Sequence, residues 1–134
     1  MRAYNTVMLM LVGEREARGD GREAIRAVVH VVANRVKAGW GDWLSVITKK
    51  NQFSSITVVG DSQTVFWPGV RDVIDIWSLV NDVYDGRDAD NTGGALYYSN
   101  EAISINNEWY RNEIINKPTE HPVTVVIGKQ TFRK

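Results

Sequence analysis

The chain has 134 residues, a length that favours one domain, because single cores usually form from ~100–150 residues. Its 16 basic side chains balance 16 acidic ones, which excludes the strong positive field behind non-specific nucleic-acid binding. The absence of cysteine excludes disulfides, thiolate zinc sites and a cysteine nucleophile. The two histidines, His30 and His121, lie far apart in sequence, so a zinc site would need carboxylate ligands as well. We expect neither a metal nor a cofactor.

Membrane insertion and export are not expected from the hydropathy pattern. The longest apolar run, Val7 to Val12, is far shorter than the ~20 residues that span a bilayer. It is also shorter than the apolar region of a signal peptide (~7–15 residues), and charged residues follow it where a cleavage site should be. We therefore expect the protein to stay in the cytoplasm on synthesis, without stable membrane insertion, and to need another protein for release.

Two helices open the predicted structure. In the first, apolar residues recur with the spacing of one buried helical face, at Tyr4, Val7, Met8, Leu11 and Val12. Gly13 is expected to end this helix, and Gly19-Asp20-Gly21 to form a turn. The second helix, about residues 22–37, is apolar over most of its circumference and suits a central position. Its one polar stripe faces either solvent or a polar cleft, and solvent is the simpler interpretation. The stripe comprises Arg22, Arg26, His30 and Asn34.

The rest of the chain mixes short helices, a polar loop and one strand. Asp42 is a candidate N-cap for a short helix, and another helix runs over about residues 69–84 before Gly86. Its predicted apolar face comprises Val70, Val73, Ile74, Trp77, Val80 and Val83. Residues 88–94 form a loop rich in Asp, Asn and Gly, and residues 122–127 form a β-branched strand. The predicted class is α+β, mostly α, with a small β-sheet.

The chemistry available to this sequence is mainly that of carboxylates. Motifs for serine hydrolysis, metal hydrolysis and nucleotide binding are absent. Four acidic residues cluster around a helix end and a glycine turn: Glu14, Glu16, Asp20 and Glu23. Burial raises the pKa of a carboxyl group, so one placed at an apolar cleft can act as a general acid. The alternative interpretation is an ordinary solvated turn.

Aromatic residues supply a second feature. The chain has five Trp and five Tyr, and Tyr97 and Tyr98 closely follow Gly93-Gly94. Aromatic rings can stack on the C–H faces of sugars, while amides such as Gln52 and Asn100 can bond hydroxyl or acetamido groups. The alternative is core packing, which we expect for Trp77 and consider for the other aromatic residues, including Trp40 and Trp43.

Four motifs, in order along almost the whole chain, resemble the SleB-type cell wall hydrolase family of spore-cortex-lytic enzymes and phage endolysins. They are Glu16-Ala17-Arg18-Gly19-Asp20, the segment from Val28 to Asn34-Arg35-Val36, Gln52-Phe53-Ser54, and Thr92-Gly93-Gly94-Ala95-Leu96-Tyr97-Tyr98. The closing segment around Ile127-Gly128 and Phe132 is similar too. The resemblance implies a single catalytic domain over residues 1–134 with a compact lysozyme-like fold. Two positions depart from the family pattern: Asp20 stands where Glu is usual, and Gln130 where many members have His.

The resemblance further implies a lytic transglycosylase that cuts the glycan strand of peptidoglycan, with Glu16 as general acid and base. It assigns substrate positioning to Gln52, Ser54, Thr92, Tyr97 and Tyr98. Because consecutive side chains of an extended segment point to opposite sides, we expect only one tyrosine to face the groove, and favour Tyr98.

The alternatives are a hydrolytic muramidase, with Asp20 or Glu23 as second carboxylate, and a non-catalytic glycan-binding module. As a phage endolysin, the protein would be a monomer that a holin releases to the cell wall.

Overall fold

Four helices supply most of the buried core of the structure, a computed structural model that describes residues 2–49 and 70–134. In that part of the chain they are α1 (Arg2–Ala17), α2 (Arg22–Lys37), α3 (Trp43–Thr48) and α4 (Val70–Tyr84). The predicted bounds of α2 are confirmed. The predicted cap of α3 is also confirmed, because the Asp42 carboxylate accepts a hydrogen bond from the Ser45 amide at 2.8 Å.

Helix α2 lies at the centre of the core, as its sequence predicted. It packs against α1, α3 and α4. Its fully buried apolar residues are Ala24, Ala27, Val28, Val29, Val31 and Val32. The small and β-branched side chains allow neighbouring helices to approach α2 from several sides, so its orientation fixes theirs.

Helix α1 differs from its prediction in length and in its buried face. It continues through Gly13 to Ala17 and buries Leu9, Val12 and Glu14, whereas Tyr4 is exposed. Gly13 is retained in the helix because α2 crosses there: a Cβ on Gly13 would lie 2.9 Å from Val29 Cγ2. The glycine therefore serves close helix packing, and the helix extends far enough to carry Glu16 in its last turn.

The predicted apolar face of α4 is wrong in part. Leu79, Val80 and Val83 are buried, but Ile74 is exposed and Trp77 is 37% exposed. The buried stripe includes Ile76 instead of Ile74. Because Ile74 and Trp77 are apolar although they lie outside the buried stripe, the sequence pattern does not define a single buried face. Trp77 is consequently not a core residue.

A three-stranded antiparallel sheet completes the fold, with strand order β1-β3-β2. The strands are β1 (Tyr97–Ser99), β2 (Val123–Ile127) and β3 (Gln130–Arg133). Between β1 and β2 lie the short helices α5 (Glu101–Ser104) and α6 (Glu108–Tyr110), followed by a π-helical turn, Arg111–Ile115. Only β2 was predicted, but the class, mostly helical α+β with a small sheet, is confirmed.

The polar stripe of α2 faces protein from Arg26 onward, which corrects the expectation of solvent, whereas Arg22 is exposed. Arg26 Nε and His30 Nε2 each lie 2.7 Å from Asp88 Oδ2. Asn34 Nδ2 donates to Asp90 and to the carbonyl of Ala95, both at 3.0 Å. The stripe thus holds the loop of residues 88–95 against α2, and this loop leads directly into β1.

Candidate functional site

A cleft of about 730 Å³ opens between the end of α1, the end of α2, β1 and the two short helices. Both apolar and hydrogen-bonding side chains line it, a combination suited to a sugar chain with apolar faces and polar edges. The described residues that line it are Glu16, Arg35, Trp40, Lys49, Tyr97, Tyr98, Ser99, Asn100, Ile103, Ser104, Asn107, Trp109, Tyr110 and Gln130.

Glu16 is the one carboxylate among these lining residues. It lies in the last turn of α1 and is part-buried. The hydroxyl of Tyr98 donates a hydrogen bond to it. The Tyr98 ring itself stacks on the fully buried Phe132, with centroids 5.9 Å apart. A core residue of β3 therefore supports the tyrosine that contacts the candidate acid.

The environment keeps Tyr98 protonated. Burial raises the pKa of Tyr98 well above its usual value of 10.0, and the negative charge of Glu16 adds to the rise. The positive charge of Arg35 opposes this rise without cancelling it. The phenol is consequently a hydrogen-bond donor to Glu16 at every pH at which a protein of this kind is assayed.

Arg35 places a buried cation beside the cleft. Its Nε donates to the carbonyl of Leu96 at 2.8 Å, and its guanidinium lies 5.0 Å from the centroid of the Trp40 ring. Burial lowers the pKa of Arg35, while the facing phenols of Tyr98 and Tyr97 partly offset that effect. The arginine thus links α2, β1 and the aromatic wall of the cleft.

Tyr97 also lines the cleft, so the expectation that only one of the two tyrosines would face it is wrong. Its ring makes edge contacts with Trp40 at 5.7 Å and with His121 at 5.0 Å. Strand β1 has only three residues and lies at the edge of the sheet, where a side chain on either face can reach the cleft.

Among the described residues, one further predicted substrate-positioning residue, Thr92, does not line the cleft. Gln52 and Ser54 lie outside the described residues. Thr92 is fully buried, and its hydroxyl donates to Asp90 at 2.6 Å and accepts from the Ala95 amide at 3.1 Å. Thr92 therefore shapes the loop before β1 and exposes no surface through which to contact a glycan.

The two candidates for a second carboxylate, Asp20 and Glu23, are not among the lining residues. Asp20 accepts from the Lys129 amide at 3.0 Å and from Gln130 Nε2 at 3.4 Å. Glu23 is exposed and pairs with Arg26 at 2.9 Å. The two departures from the family pattern, Asp20 and Gln130, thus contact each other, and Asp20 holds the hairpin that carries Gln130 into the cleft.

Several cleft residues were missed by the sequence analysis, namely Arg35, Trp40, Asn107, Trp109 and Tyr110. For Arg35 a signal was present, since it is a charged residue on the apolar side of a core helix. Trp109 and its neighbours follow a segment without strong periodicity, and only the fold brings them to the cleft.

The described residues contain no group of three His, Asp or Glu side chains that could hold a metal ion. In the same part of the chain, every helix is too short or too polar to cross a membrane.

Comparisons with known proteins identify the family. A family model described as Cell Wall Hydrolase matches residues 19–132. The chain belongs to this cell wall hydrolase family. Among solved structures it is similar to the catalytic domain of the germination-specific lytic transglycosylase SleB from Bacillus anthracis. The identity is 26% and the TM-score 0.72, over 97% of this chain and 93% of that one. A comparison with curated proteins gave no match.

The family and the structural match together make this chain a peptidoglycan-degrading enzyme. The family match begins at residue 19, so it does not include Glu16. What points to this residue is its position as the carboxylate in the described lining of the cleft.

Proposed function

We propose that this cell wall hydrolase is a lytic transglycosylase that cleaves between N-acetylmuramic acid and N-acetylglucosamine with Glu16 as its only acid and base. The observation that carries the proposal is that Glu16 is the single carboxylate lining the cleft in the described part of the chain. Hydrolytic glycosidases usually need two carboxylates, ~5–5.5 Å or ~6.5–9.5 Å apart. A transglycosylase can work with one.

The mechanism uses the carboxyl group of Glu16 twice. First it protonates the bridging oxygen, so the glycosidic bond breaks through an oxocarbenium-like state. The carboxylate then accepts the proton of the muramyl C6 hydroxyl as that oxygen attacks the anomeric carbon. The product is a 1,6-anhydro sugar, no water is consumed, and Glu16 is protonated again.

The residues around Glu16 are placed so that they can orient its carboxyl group and bind the glycan. The Tyr98 hydroxyl bonds the carboxylate and fixes its orientation, which matters because a misplaced acid loses most of its effect. Trp40 and Tyr97 give the cleft aromatic walls for sugar rings, while Asn100 and Gln130 offer amides to the polar edges.

Product analysis and one substitution test the proposal. Digestion of purified peptidoglycan should give anhydromuramyl ends by mass spectrometry, whereas reducing muramic acid ends would indicate hydrolysis. Glu16→Gln should fold normally and lose at least ~10²-fold in activity, the effect typical of a lost general acid. Glu23→Gln, an exposed carboxylate outside the cleft, is the matched control and should remain active. Unchanged turnover in Glu16→Gln would refute the assignment, and glycan binding without turnover in the unmodified protein would indicate a binding module.

The role of a phage endolysin, released from the cytoplasm by a holin, stays a prediction from the resemblance. Expression in a bacterial host with and without a co-expressed holin tests it. Lysis only with the holin supports this role, and lysis without it contradicts the role.

A further inference from the structure

An exposed tryptophan lies where the cleft meets a second cavity. Trp109 is 63% exposed, although tryptophan side chains in folded proteins are on average largely buried. It lines the cleft and also a neighbouring hollow of about 570 Å³. Asn107 is shared by the two cavities as well, so the hollow continues the cleft beyond the region around Glu16.

The segment that carries Trp109 is held firmly from both sides. The side-chain oxygen of Asn107 accepts a hydrogen bond from the Tyr110 amide at 2.9 Å and caps helix α6. The π-helical turn that follows buries Ile114, and Arg111 donates to the carbonyl of Ile105 at 3.1 Å. A side chain on such a segment loses little backbone freedom on binding, so the indole is a preorganised surface.

The other walls of the hollow are polar and partly acidic. They comprise Asn107, Glu108, Asn112 and Glu113, and Glu113 is paired with Lys117 at 2.7 Å. An apolar ring face next to amides and carboxylates suits a ligand with a C–H face and donor groups at its edge.

We propose that Trp109 is a stacking surface for a further N-acetylhexosamine of the same glycan strand, outside the pair of sugars whose bond is cleaved. The inference rests on the proposed function and extends it: the enzyme would prefer long strands to short fragments. The two cavities are continuous, so a glycan strand that leaves the cleft on this side passes over the indole of Trp109. This continuity favours the glycan strand as the ligand of the hollow.

Kinetics on two lengths of substrate test the inference. Stem-free glycan strands, prepared from amidase-treated peptidoglycan, are compared with the N-acetylmuramyl–N-acetylglucosamine disaccharide, which holds only the pair of sugars whose bond is cleaved. For Trp109→Ala we expect KM on long strands to rise about tenfold, equivalent to about 1.4 kcal/mol, with kcat unchanged. The disaccharide, which has no further sugar to place on Trp109, should be cleaved as by the unmodified enzyme. Trp109→Phe, which keeps a ring, should restore most of the affinity.

The matched control is Trp77→Ala, which removes a 37% exposed indole that lines neither cavity. It should leave both substrates unaffected. An unchanged KM in Trp109→Ala, or an equal loss on both substrates, would overturn the inference. A loss confined to stem-bearing strands would overturn it too, in favour of a peptide contact.

Binding separates this inference from the proposed function. If the unmodified protein binds long strands but does not cleave them, the proposed mechanism fails. The inference is then judged on co-sedimentation with those strands. Binding by Trp109→Ala that is about tenfold weaker supports it, and equal binding overturns it.

Discussion

Removing the hydroxyl of Tyr98 isolates its contact with the candidate acid. Tyr98→Phe keeps the ring, and therefore the stack on Phe132 at 5.9 Å, but deletes the donor to Glu16. The phenol is protonated across the assay range, because burial raises the pKa of Tyr98 and the charge of Glu16 raises it further. The substitution thus removes a permanent donor.

The size of the effect follows from the charge on the acceptor. A hydrogen bond to a charged group contributes about 1.5–3 kcal/mol. If the bond orients Glu16 in the transition state, each 1.4 kcal/mol lost lowers the rate about tenfold, so kcat should fall about ten- to a hundredfold. Stability should change by about 1 kcal/mol or less, since Glu16 is only part-buried and water can replace the donor.

The assay is kcat on purified glycan strands together with thermal unfolding of the same preparation. Tyr84→Phe provides the control, because that hydroxyl accepts a hydrogen bond from Asn5 at 3.3 Å and lies outside the cleft. It should cost similar stability and leave kcat unaltered. Wild-type kcat in Tyr98→Phe would refute the reasoning, and so would a loss of rate explained entirely by a lower melting temperature.

Two further predictions concern the scaffold. Gly13→Ala gains about 1 kcal/mol of helix propensity, but the added methyl group overpacks against Val29 at a cost of about 1–3 kcal/mol. We therefore expect a net loss of stability in urea unfolding, and a more stable variant would contradict the role of Gly13 in close packing. Burial alone would raise the pKa of Asp88, but hydrogen bonds from Arg26 and His30 outweigh it and lower that pKa below its usual 3.8. The stabilising contribution of the ionised Asp88 is therefore present above pH 3.8 and lost as the pH falls through the folded-state pKa. Asp88→Asn should lower the free energy of unfolding at neutral pH and make that free energy fall less steeply as the pH is lowered. An equally steep fall in the variant would refute this.

The elements predicted correctly are those whose sequence pattern lies within the element itself. The run of small and β-branched residues defined α2, Asp42 capped α3, and the Val-rich segment gave β2. The acidic cluster at the end of α1 also predicted where a general acid could lie. Each of these inferences needed only neighbours within one or two helical turns.

Other features depend on partners distant in sequence. The polar stripe of α2 was predicted to face solvent because its partners are remote in sequence. Asp88 and Asp90, which contact His30 and Asn34, lie about sixty residues further along the chain. Strands β1 and β3 are too short to show alternation, and each is stabilised by pairing with the other. The position of Trp109 at the cleft results from a capped helix and a π-helical turn, for which no simple sequence pattern exists.

The bond between Asp20 and the β2–β3 hairpin has a consequence for biosynthesis. The Asp20 carboxylate and the Lys129 amide are 109 residues apart, and Phe132, which supports Tyr98, lies in the same hairpin. A ribosome delivers the chain from its amino end, so Glu16 emerges long before the strand that completes its surroundings. Contacts of such long range form late and slowly. We therefore expect the cleft, and the activity that depends on it, to form only after the hairpin has left the ribosome.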